Sequence, residues 1–186
     1  MERLSRASAL IIVDVQRAFD DPTWGERNNP LTERHIAAIL SAWRAAERPL
    51  IHIRHRNSQP GGRFHPDGAG FAVKPEAREL PGEPILTKEV NSAFIGTDLE
   101  ARLRKAGIAT VVLVGLTTDH CVSTTARMAA NLGFATVIVT DATATFERTG
   151  PDGRHYSADE MHSTALASLS GEFGMVVSTA GLLEAI

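Results

Sequence analysis

Three side chains stand where an α/β enzyme places reactive groups: Asp14, Lys88 and Cys121. Cys121 is the only cysteine in the 186 residues. It follows an apolar run (Thr110–Val114) and a small polar turn (Gly115–His120), and it opens a helical pattern. A thiol at a helix N-terminus meets unpaired backbone N–H groups and the positive end of the macrodipole. That setting favours thiolate, the nucleophilic form. The competing reading is an inert cysteine packed as a small hydrophobe. Asp14 closes a first apolar run, and Lys88 closes a third. An aspartate after a strand is commonly a turn residue, and a single lysine is commonly solvated surface. All three nevertheless fall at strand ends, on the edge where open parallel sheets bind ligands. A carboxylate, an ammonium and a thiol gathered there can carry acyl transfer.

The elements that must position them alternate along the chain. Strands are expected at Ala9–Val13, Leu50–Ile53, Glu83–Thr87, Thr110–Val114, Ala135–Thr140 and Met175–Val177. Helical spacing covers Leu31–Arg48 (capped by Thr32), Thr97–Ala106, Cys121–Leu132, Ala158–Leu169 and Ala180–Ala185, with Gly107 and Gly133 as stops. Near-continuous apolar strands, each followed by a helix, predict a single doubly wound α/β domain over residues 1–186, mainly parallel and covered on both faces. Two stretches fall outside the alternation. Arg54–Pro84 carries Phe64, His65 and Phe71 and reads as a packed lid; Ala142–Ser157 is a second long loop.

Composition narrows the function. Hydrophobic residues make up 43% and the net charge is −3, with Lys and Arg scattered, so nucleic acid is not an expected partner. No apolar stretch approaches the roughly 20 residues that span a bilayer, and Ala9–Val13 is too short for a signal-peptide core. One cysteine cannot form an internal disulfide, which suits the cytoplasm. No Gly-x-Gly-x-x-Gly or phosphate-loop motif is present, and no cofactor is expected.

Leu10–Phe19 (LIIVDVQRAF), Lys88–Thr97 (KEVNSAFIGT) and Gly115–Val122 (GLTTDHCV) resemble, in order and spacing, the isochorismatase-like cysteine hydrolases, a superfamily that includes nicotinamidases and N-carbamoylsarcosine amidohydrolases. The resemblance runs over essentially the whole chain. It implies a six-stranded sheet of order 3-2-1-4-5-6, in which Asp14 and Cys121 flank the switch point and Lys88 starts two strands away. It also implies an Asp14–Lys88–Cys121 triad that cleaves a C–N bond of a small amide or carbamoyl compound through a thioester. A cis peptide at Leu116–Thr117 and an oxyanion hole from the N–H groups of Thr117 and Cys121 belong to the same pattern. So does assembly into homo-oligomers, from dimers to octamers.

Other residues with chemical potential lie along the chain. Asn91, Phe94, Phe19, Phe64 and Trp24 are candidate pocket residues around a small-molecule substrate. Nicotinamidases often carry an Asp-x-His metal arrangement after the second strand; here the text is LIHIRHR, without an aspartate. His52 and His55 lie three apart on an extended chain and point to opposite faces, so no metal is expected, although His65 could join one of them. His120 adjoins the thiol but is not expected to curl back onto it. Asp141 reads as a turn-former, and Arg148, Arg154 and His155 as a solvated loop. The alternatives to amide hydrolysis are isochorismatase-type or ester hydrolysis, and a non-enzymatic protein with a reactive thiol.

Overall fold

A computed structural model describes residues 3–186. The strands are β1 (Ser8–Val13), β2 (Leu50–His55), β3 (Ile85–Lys88), β4 (Thr110–Leu116), β5 (Ala135–Ala144), β6 (Arg148–Thr149), β7 (His155–Tyr156) and β8 (Met175–Val177). Six of them form one parallel sheet of order β3-β2-β1-β4-β5-β8. This is the expected order; the last sheet strand is the eighth in the chain because the β6–β7 hairpin intervenes. Two-residue strands are too short to show alternation, so that hairpin left no pattern in the sequence.

Alternation within the strands assigns the two layers. Ala9, Ile11 and Val13 of β1 join one core with Leu99 and Leu103 of α2 (Leu99–Lys105), Ala126 and Ala129 of α3 (Ser123–Asn131), and Leu166 and Leu169 of α4 (Ala158–Leu169). Leu10 and Ile12 join the other with α1 (Thr32–Ala45) and α5 (Thr179–Ala185). The apolar stripe of α1, Ile36, Ile39, Leu40 and Trp43, has the spacing that keeps one helical face on the sheet. The helix starts differently from expectation. Leu31 is the N-cap without a side-chain bond, and the Thr32 hydroxyl, already inside the helix, donates to the Asn29 carbonyl at 2.8 Å.

Two departures from regular strand geometry shape the carboxyl edge. Asp14 ends β1 in the left-handed region (φ 51°), which aspartate tolerates better than most residues. Gly115 of β4 has φ 119°, and a Cβ there would lie 1.9 Å from the Val13 carbonyl oxygen, so only glycine lets β4 approach β1 this closely. Further along, β5 runs four residues past its expected end. Leu113 pairs with Ile138 but Gly115 with Thr143, so β5 bulges. Asn29 holds that bulge through its side-chain amide, which donates to the carbonyls of Thr140 (3.0 Å) and Thr143 (2.7 Å).

Candidate active site

Asp14, Lys88 and Cys121 meet at this edge. Lys88 Nζ donates to Asp14 Oδ2 at 2.6 Å and to Cys121 Sγ at 3.4 Å. The side chains of Asp14 and Lys88 are fully buried, and Cys121 is 8% exposed. The gap of two strands closes through the side chain: Lys88 is the last residue of β3, in register with His55 at the end of β2, and its ammonium reaches Asp14 beyond. His55 Nδ1 lies 3.1 Å from the same Nζ. Sequence reasoning weighed His55 only as a metal ligand and missed this contact.

The electrostatics correct one expectation. Burial pushes the Cys121 thiol up to about 12, with the Asp14 charge acting in the same direction and Lys88 opposing both. Loss of solvation and the Asp14 charge thus favour a resting thiol over a thiolate. Burial also raises the Asp14 carboxyl, against the pull of Lys88. Asp14 Oδ1 is buried and has no hydrogen-bond partner, so one carboxylate oxygen is left to accept a proton. Burial and the Lys88 charge lower His55 to about 4. The ring is neutral at pH 7, and since an ammonium only donates, Nδ1 is its acceptor and Nε2 carries the hydrogen.

The backbone around Cys121 also differs from expectation. Cys121 sits inside a π-turn, Thr118–Val122, and α3 begins only at Ser123. The Thr117 carbonyl accepts from the N–H groups of His120 (3.2 Å) and Val122 (3.1 Å), and the Leu116–Thr117 peptide is cis. Side chains that the sequence did not single out for this task brace the turn. Thr118 Oγ1 lies 2.8 Å from Nδ1 of His162 on α4, a ring whose pKa burial lowers. Asp119, although buried, is held below the usual carboxylate range by hydrogen bonds from Thr145 and Arg148. Arg148, expected on a solvated loop, thus ties the β6–β7 hairpin to the turn that carries Cys121. His120 is half exposed and lies 3.7 Å from Asp119.

The remaining expected residues separate. Asn91 Nδ2 is 3.6 Å from Cys121 Sγ. Phe94 stacks on Phe134 and packs against the α2–α3 core. Phe19, Trp24, Phe64 and Phe146 form one aromatic cluster over Leu116, with Phe64 edge-on to His55 at 5.0 Å. The 54–84 segment is held down by Gln16, whose side chain bonds the backbone of His55 and Phe71, and by Lys74, which pairs with Asp20 and Glu33. Asp141 caps α5 at Thr179.

A nicotinamidase-type metal set does not fit here. His52 is taken by Glu83 at 2.8 Å, and His65 faces Asp67. Ligand atoms of Asp14, His55 and Cys121 do come within 4.8 Å of one another, but the Lys88 ammonium stands among them and supplies the positive charge.

The isochorismatase domain profile matches residues 8–181. The chain belongs to the isochorismatase family. It is 47% identical over 181 residues to the uncharacterized isochorismatase family protein YrdC of Bacillus subtilis, covering 97% of each. A crystal structure of an isochorismatase family protein from Chromobacterium violaceum superposes with a TM-score of 0.97 at 45% identity, over 100% of this chain and 96% of the other. The ureidoacrylate amidohydrolase RutB of Methylobacterium radiotolerans is 30% identical, over 95% of this chain and 78% of its own. Family membership makes the protein a hydrolase with an isochorismatase-like fold.

Proposed function

We propose that this isochorismatase-family hydrolase is a cysteine-dependent amidohydrolase that cleaves the C–N bond of a small amide or carbamoyl compound. The observation that carries the reading is the single ammonium of Lys88 bonded to both Asp14 and Cys121, beside a carboxylate oxygen with no partner. Asp14 Oδ1 takes the thiol proton as Sγ attacks the carbonyl carbon, so the thiolate exists only during attack. The N–H groups of Thr117 and Cys121 hold the oxyanion, a contribution of about 3 kcal/mol in other acyl-transfer sites. Protonated Asp14 then gives its proton to the leaving nitrogen, and ammonia or an amine departs as the thioester forms. Asp14, again a carboxylate, deprotonates the water that releases the acid and restores the thiol. The amidohydrolase named among the relatives supports this choice of bond. The reading extends to a homo-oligomer, which sedimentation tests.

Ammonia release from a panel of small amides and carbamoyl compounds tests the chemistry. The wild-type protein is expected to release ammonia from at least one member, and Cys121→Ala to release none while melting at the same temperature. Equal release from both proteins would remove the cysteine from the mechanism.

A further inference from the structure

The proposed reaction needs one ammonium aimed at two groups at once, and an ammonium has three protons to place. Asp14 Oδ2 takes one at 2.6 Å and Cys121 Sγ a second at 3.4 Å; the third meets His55 Nδ1 at 3.1 Å. Lys88 is 1% exposed, so bulk water cannot replace a missing acceptor. His55 is itself fixed from several sides. Its backbone N–H donates to Gln16 Oε1 at 2.7 Å, and its backbone carbonyl accepts from Gln16 Nε2 at 3.1 Å. Its ring stands edge-on to Phe64. Gln16 is fully buried and lies two residues after Asp14, so the segment that carries the base also holds the backbone from which the imidazole projects.

We infer that His55 is a positioning residue: through Nδ1 it accepts the third proton of Lys88 and keeps the ammonium aimed at Asp14 and Cys121 together. This rests on the cysteine chemistry above, but its effect on the thiol needs no substrate. The charged and titratable groups around the ring are Lys88, Asp14, Cys121 and Glu89, the last paired with Arg56. Burial and Lys88 keep the ring neutral above about pH 5, so the acceptor is present throughout the working range.

Two substitutions separate this role from packing. His55→Asn keeps an acceptor oxygen near the Nδ1 position and loses the ring. His55→Phe keeps the ring against Phe64 and loses the acceptor. The readout is the rate of Cys121 alkylation by iodoacetamide between pH 6 and 9, with thermal melts to follow folding. The expected result is His55→Asn within about threefold of wild type and His55→Phe slower by about tenfold or more, the scale of a lost hydrogen bond to a charged group. With an amide substrate in hand, His55→Phe lowers kcat and leaves KM unchanged. The reverse order, equal rates for both variants, or a His55→Asn protein that unfolds while His55→Phe folds and reacts normally would each overturn the inference. Alkylation is independent of turnover, so a protein that hydrolyses no amide still gives this answer.

Discussion

Replacing Lys88 with methionine keeps an unbranched side chain out to Cε and removes the ammonium, leaving the Asp14 carboxyl at 0% exposure with no counter-ion. Removing one partner of a buried ion pair costs roughly 3–5 kcal/mol. The protein can avoid that cost by protonating Asp14, so the penalty depends on pH. An unfolded aspartate titrates near about 3.9. In the folded variant its pKa lies further above that value, because burial raises it and the Lys88 charge no longer opposes, leaving only the Cys121 hydrogen bond to lower it. The stability of the protonated form is therefore fully present below the unfolded value and is lost as pH rises through the folded one. At about 1.36 kcal/mol per pH unit, a penalty of roughly 3–5 kcal/mol needs two to four units to develop. The deficit relative to wild type should be small near about pH 4 and grow once pH passes the wild-type folded value, which burial already raises. Urea denaturation at pH 4.5 and pH 8 measures it, and Asp14→Asn in the same chain should recover most of the loss at pH 8. A Lys88→Met deficit that is the same at both pH values, or below about 1 kcal/mol at pH 8, would refute the buried pair as the electrostatic centre of the site.

Other consequences follow from single contacts. With the thiol pushed up to about 12, its alkylation by iodoacetamide should rise about tenfold per pH unit from pH 7 to beyond 9; a plateau below pH 8 would mean a resting thiolate. Gly115→Ala places a methyl group against the Val13 carbonyl in a left-handed backbone, so a loss of more than about 3 kcal/mol is expected in a denaturant melt. His162→Ala removes the partner of the Thr118 hydroxyl and should cost about 1–3 kcal/mol, with a larger fall in kcat than in substrate affinity because it loosens the turn that carries Cys121.

The sheet and its layers were legible because they are written in local period. Ala158–Leu169 and Met175–Val177 have the same ends in the sequence reading and in the structure, and the stripe of α1 points where its spacing says. Asp14, Lys88 and Cys121 were legible as a set because parallel strands bring their carboxyl ends together, whatever the distance along the chain. The parts that escaped depend on contacts between distant segments. His55 becomes part of the site only through register with Lys88 and the grip of Gln16. The bulge of β5 depends on Asn29, more than a hundred residues earlier in the chain. Burial overturned the expected thiolate, since a local view of Cys121 sees the turn and the helix but not Asp14 and the core closing over the sulfur. The place of Phe94 after Lys88 does not reveal that its ring stacks on Phe134, a contact between distant segments.

The central claim is that an acyl group passes through Cys121. A single-turnover experiment tests it most directly: an amide substrate labelled in its acyl part, quenched in acid within the first turnover, with the label located by peptide mass spectrometry. The account predicts a transient adduct on Cys121 that forms as ammonia is released, decays to the free acid and is absent from Cys121→Ala. Turnover that never labels Cys121 and is undiminished in Cys121→Ala would contradict it.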